Sequence, residues 1–123
     1  MPQKLILIID DDNRNIFALK AVLKAKGFDC LSAISAQDGF SILEKHDHVA
    51  VVLMDMMMPD MDGYQAIAAM KKSDKMKNIP VLAVTAQAMV GDRERCLSAG
   101  ASGYVSKPID VDELLKQIEN FTE

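Results

Sequence analysis

Six consecutive apolar residues, Val49 to Met54, run without interruption into Asp55. A run this short and this rich in valine reads as a strand covered on both faces, because a half-exposed strand would alternate with polar residues. It stops where a Met/Pro/Asp/Gly loop begins, so Asp55 is expected at the mouth of a sheet, partly desolvated and open to a ligand. Taken alone, such a carboxylate is more simply a solvated residue opening a turn. Three other apolar runs that also end in polar groups suited to one site overturn that simpler reading.

Those runs are Leu5 to Ile9, which ends at Asp10-Asp11-Asp12; Val81 to Val84, which ends at Thr85; and Gly103 to Ser106, which ends at Lys107-Pro108. Phe28 to Ala33 is a weaker fifth strand. Between the strands lie helical patterns. Asn13 to Lys26 repeats Ile16, Leu19, Val22 and Leu23 at helical spacing, with Gly27 as terminator. Ser35, with Asp38 three residues on, opens a helix to about Lys45 that Gly39 weakens. Gly63 to Lys72 and Val90 to Ala99 follow, the second closed by Gly100. Asp110 as N-cap, Glu113 at the third helical position and Ile109 facing Leu114 mark the last helix, whose buried face continues through Leu115, Ile118 and Phe121. Strands alternating with helices predict an α/β fold with a parallel sheet of five strands and five helices.

At 123 residues the chain is expected to be one domain, 1–123, with one working site. The net charge of −4 and the lack of a Lys/Arg cluster argue against direct nucleic-acid binding. No apolar run approaches the ~18 residues of a membrane span, and the amino terminus does not read as a signal peptide. A cytoplasmic protein without membrane contact is expected. Cys30 and Cys96 form no Cys-x-x-Cys pair and read as two buried thiols. Of nine methionines, four lie between Met54 and Met58, and core filling is the expected use.

In a parallel sheet of this kind ligands bind beyond the carboxyl ends of the strands, where strand order reverses. Asp10, Asp11, Asp55, Thr85 and Lys107 are all placed on that edge. Crowded carboxylates either raise one pKa or recruit a cation, and an all-oxygen set without His or Cys suits Mg²⁺ rather than zinc. A divalent ion beside an aspartate, with an ammonium and a hydroxyl opposite, is a site for phosphoryl transfer. An ionised Asp55 needs no general base to attack a phosphoryl donor.

Ile-Ile-Asp-Asp at the first strand end, Leu-Met-Asp-x-x-Met-Pro-x-Met-Asp-Gly around Asp55, Val-Thr-Ala at Thr85 and Tyr-Val-x-Lys-Pro at Lys107 occur in this order. From Leu5 to about Phe121 the chain thereby resembles the receiver domains of bacterial two-component response regulators. The resemblance implies a flavodoxin-like strand order, 2-1-3-4-5. It implies that Asp55 accepts a phosphoryl group, and that Asp10, Asp11, Asp55 and the backbone carbonyl of Met57 hold Mg²⁺. Lys107, before a cis peptide bond to Pro108, would pair with the phosphoryl group, Thr85 would move toward it, and Tyr104 would turn inward. The implied donor is a histidine kinase or phosphotransfer protein, and the implied recipient a downstream protein or fused output domain. Homodimerisation on phosphorylation stays open. Transfer to Asp55 and its loss by hydrolysis would be self-catalysed rather than conventional enzymatic turnover.

Other residues weigh less. Asp12 reads as a solvated loop or helix-start residue, Asp60 and Asp62 as structural loop residues, and His46 and His48 lie at the wrong end of the sheet. Met57 and Gln87 occupy positions that in this family modulate access of water to the aspartyl phosphate; Met57 has no group to orient a water, whereas Gln87 has one. A phosphatase of the haloacid-dehalogenase type would need a second Asp two residues after Asp55, where Met57 stands. A flavin binder would want a Ser/Thr/Gly-rich loop where three aspartates repel an anion. A receiver that no longer takes phosphate would lack a site residue, and none is missing.

Overall fold

In a computed structural model describing residues 5–59, 61–86 and 90–122, every predicted strand forms. β1 (Leu5–Ile9), β2 (Asp29–Ala33), β3 (Val49–Asp55), β4 (Val81–Thr85) and β5 (Gly103–Ser106) alternate with α1 (Asn13–Ala25), α2 (Ala36–Lys45), α3 (Gly63–Lys71), α4 (Asp92–Ala99) and α5 (Val111–Thr122). The strands build one parallel sheet in the order β2-β1-β3-β4-β5. This is the flavodoxin-like order expected.

The uninterrupted apolar runs have the consequence anticipated for them, since alternate residues feed two separate cores. Leu7, Ile9, Val52, Met54, Val81 and Ala83 face α2, α3 and α4, packing with Leu43, Ile67, Met70 and Cys96. Ile6, Ile8, Val51, Leu53, Leu82 and Val84 face α1 and α5, packing with Leu19, Leu23, Leu114 and Ile118. Both faces of β1, β3 and β4 are thus dry, and the sheet can present polar groups to a ligand only at its ends. Methionine largely fills core, with Met54, Met56, Met58, Met70 and Met76 buried and Met57 exposed.

Side-chain caps place the helices. Asp12 Oδ1 accepts the Arg14 N–H at 2.9 Å and Ser35 Oγ that of Asp38 at 3.1 Å, so α2 forms despite Gly39. Asp110 Oδ1 accepts the Glu113 N–H at 3.2 Å. A full capping box opens α3, where Asp62 and Gln65 exchange bonds of 2.9 and 3.2 Å, giving Asp62 the structural role expected. Each cap is worth ~1 kcal/mol.

Two expectations are corrected. α4 begins at Asp92, not Val90, because Gly91 sits at φ +89°, a left-handed conformation that cannot continue into a helix, and the Val90 side chain stands in solvent. Cys30 is half-buried rather than buried, although burial still raises its thiol to about 11; Cys96 is buried, and both are free thiols. No helix among the described residues is long and apolar enough to cross a membrane.

Gly63 is the position where the fold touches the site most directly. A Cβ there would collide with Met56 Sδ and stand 2.7 Å from Met56 Cα, the backbone immediately after Asp55. Only glycine lets α3 start this close to β3. Gly63→Ala is accordingly expected to destabilise the protein by ~1–3 kcal/mol, read as a lower urea midpoint at unchanged m, even though alanine is the better helix former.

Candidate functional site

Strand order reverses between β1 and β3, and their register pairs Ile9 with Met54. The next residues, Asp10 and Asp55, therefore meet at the carboxyl edge of the reversal. β3 pairs Asp55 with Val84, one residue before Thr85, and β4 pairs Thr85 with Ser106, one residue before Lys107. One row across the sheet end thus collects residues from four strands. Asp10, Asp55 and Thr85 are 3, 4 and 1 % exposed, while Asp11 is open to solvent at the rim.

Carboxylate oxygens of Asp10, Asp11 and Asp55 all lie within 4.8 Å of one another, a spacing that one cation can satisfy. Lys107 Nζ reaches both buried carboxylates, 3.7 Å from Asp10 Oδ2 and 3.8 Å from Asp55 Oδ1. Backbone donors share the load. The Asp12 N–H donates to Asp10 Oδ1 at 2.8 Å, and the Met57 N–H to Asp55 Oδ1 at 3.1 Å. The Lys107 N–H donates to the Thr85 carbonyl at 2.8 Å, fixing the base of the lysine, and the Lys107–Pro108 peptide is cis.

Burial pushes the Asp55 carboxyl up to about 6; the Met57 N–H opposes this, Asp10 adds to it, Lys107 opposes it and the contact with Asp11 adds again. The charged form is thus uncomfortable yet still dominant at neutral pH. A buried carboxylate that lacks enough positive charge is a strong nucleophile and a strong ligand for a hard cation. Beside the cluster opens a cleft of about 560 Å³ whose walls include Asp11, Met57, Pro59, Asp62, Tyr64 and Arg95.

Every described residue expected at the site lies at this edge except Tyr104. Its hydroxyl donates to Asp92 Oδ2 at 2.8 Å, and it sits half-buried on β5. Gln87 lies outside the described residues, as does Asp60. His46 and His48 are exposed ahead of β3, away from this edge. The Tyr64 hydroxyl also donates to Asp92, at 2.6 Å to Oδ1, and Arg95 stacks on the Tyr64 ring at 4.1 Å. Asp92 and Tyr64 carry no motif. That both of the chain's tyrosines bond one aspartate in the first turn of α4 is a property of the packing and not of the residue pattern.

A family model described as response regulator receiver domain matches residues 6–119. The polar-differentiation response regulator DivK of Brucella ovis is 30% identical over 118 residues, covering 96% of this chain and 95% of that protein. Among solved structures, the receiver domain of the sensor histidine kinase PA1611 from Pseudomonas aeruginosa PAO1, described with a magnesium ion coordinated in its active site cleft, is 28% identical at a TM-score of 0.87 and covers 98% of both chains. A CheY-like response regulator receiver domain protein from Methanospirillum hungatei JF-1 is 29% identical at a TM-score of 0.85, covering 96% of this chain and 92% of that one.

The raised Asp55 carboxyl has a consequence for stability. The native state holds this proton more tightly than the unfolded chain does, so metal-free protein loses stability as pH rises from about 4 through about 6. In EDTA near neutral pH, Asp55→Asn is expected to be more stable than wild type by ~1–3 kcal/mol, the advantage vanishing below about pH 4, as followed by urea denaturation across that range.

Proposed function

Because the chain belongs to the family of response regulator receiver domains, we propose that it is the phosphoacceptor of a two-component phosphorelay, with Asp55 as the residue phosphorylated. The observation that carries this reading is the buried Asp55 carboxylate with Lys107 Nζ at 3.8 Å and two further carboxylates within 4.8 Å. The donor is the phosphohistidine of a histidine kinase or phosphotransfer protein. An Asp55 oxygen attacks phosphorus, the new P–O bond forms as the P–N bond to the donor imidazole breaks, and the imidazole nitrogen keeps the electron pair and takes up a proton.

The donor set fits Mg²⁺, which Asp10, Asp11, Asp55 and the Met57 backbone carbonyl would hold. When bound, it offsets negative charge on the phosphoryl oxygens. Lys107, already placed between Asp10 and Asp55, pairs with the transferred group as it arrives. The Thr85 hydroxyl meets a phosphoryl oxygen, and Tyr104 turns into the space this movement opens. Transfer to Asp55 is self-catalysed rather than conventional turnover, and self-catalysed hydrolysis of the aspartyl phosphate, with Met57 and Gln87 controlling water, resets the switch.

The rim of the site suits a protein donor. Phe17 on α1 is 78 % exposed, and an apolar groove of about 330 Å³ runs between Leu19 and Val22 of α1 and the segment Lys107 to Val111. The recipient of the signal is a downstream protein or fused output domain, and the setting is the cytoplasm.

Incubation with Mg²⁺ and acetyl phosphate, followed by intact mass, is expected to show one phosphoryl adduct in wild type and none in Asp55→Ala or in EDTA. Absence of an adduct in folded wild type overturns the reading. Met57→Asn is expected to shorten the lifetime of that adduct several-fold, because an amide can orient the attacking water where a thioether cannot; an unchanged or longer lifetime in the decay of phosphorylated protein removes Met57 from the mechanism.

A further inference from the structure

Outside the phosphorylation site, the most constrained polar group among the described residues is Asp92, the first residue of α4 and only 8 % exposed. A carboxylate so buried must find donors, and here it finds two phenols from two other elements. Tyr64 of α3 donates to Oδ1 at 2.6 Å and Tyr104 of β5 to Oδ2 at 2.8 Å. Both phenols stay donors at any physiological pH. Burial and then the bond to Asp92 push Tyr104 up to about 12 and Tyr64 higher still. The Tyr64 side is further braced by Arg95 on its ring at 4.1 Å and by Cys96 Sγ at 3.8 Å from its hydroxyl.

The Tyr104 side is built differently. Its main chain is clamped to α5, with the N–H donating to Gln117 Oε1 at 3.2 Å and Gln117 Nε2 donating to the carbonyl at 2.9 Å. Backbone movement is thereby restrained from one side and the hydroxyl is held from the other. What is left to Tyr104 is rotation of its side chain, and that rotation requires the Asp92 bond to break.

We propose that Asp92 is a latch on the Tyr104 switch: it holds the ring toward α4 while Asp55 carries no phosphoryl group, and releases it on phosphorylation while keeping Tyr64. Asp92 is a positioning residue in this account, since it touches neither the phosphoryl group nor Asp55. The proposal rests on the reading of Asp55 and Tyr104 given above. It adds that the resting state is stabilised by a specific charge-assisted bond, and that α4 is linked to the switch at its first residue. Release leaves one oxygen of a buried carboxylate short of a donor, so the first turn of α4 is the part of the surface that must readjust.

A latch on the resting state slows phosphorylation, because it lowers the population of the conformation that accepts the group. Tyr104→Phe keeps the ring and the fold and deletes only the bond. With acetyl phosphate and Mg²⁺, adduct formation followed by intact mass is expected to be about 3- to 10-fold faster in Tyr104→Phe and in Asp92→Ala, and no faster in the double variant. A merely structural role for Asp92 would slow the reaction or leave it unchanged. The chain has two tyrosines and no tryptophan, so in Tyr64→Phe the emission near 305 nm belongs to Tyr104 alone. That emission is expected to rise on phosphorylation, as the ring leaves a quenching carboxylate. An adduct with unchanged rates and unchanged emission overturns the latch and leaves the phosphoacceptor intact; no adduct in wild type overturns both.

Discussion

Everything at the sheet edge depends on one lysine between two buried aspartates. Asp10 and Asp55 are forced together by the register of β1 against β3, and their mutual repulsion in a desolvated place would cost several kcal/mol without compensation. Lys107 Nζ, 3.7 and 3.8 Å from them, supplies part of that compensation, and single backbone N–H groups supply more. The balance is incomplete, as the raised Asp55 carboxyl shows. The incompleteness leaves the cluster with negative charge to spare, which is the condition under which buried carboxylates attract a hard cation.

The sheet makes this arrangement by indirect means. β1, β3 and β4 have no polar residue inside their buried runs, so polar groups appear only where these strands end, and parallel pairing brings those ends to one side. Apolar patterning and chemistry are thus two results of one constraint. That is also why so much was legible beforehand. Asp10, Asp55 and Thr85 are each the first polar group after an apolar run, Lys107 directly follows the short strand β5, and α/β topology aligns such strand ends without any knowledge of side-chain contacts.

What stayed hidden has an equally physical reason. Asp92 bonds to Tyr64 across 28 positions and to Tyr104 across 12, joining three elements whose packing no periodicity describes. α4 starts two residues after the apolar pattern at Val90 suggests, because the positive φ of Gly91 is a property of the backbone, not of residue pattern. Gln117 gave no signal either. As a polar residue on an amphipathic helix it reads as solvated, yet it is committed to the main chain of Tyr104.

That commitment has a bearing on solubility. β5 ends the sheet, and an outermost strand normally offers unpaired N–H and C=O groups to any extended segment that comes near. The primary amide of Gln117 occupies one such donor and one such acceptor together, in the way a sixth strand would, but as a side chain that cannot be extended into a further ladder. The clamp therefore also acts as a guard against edge-to-edge stacking of copies, and it does so through the main chain alone, leaving the Tyr104 hydroxyl to Asp92.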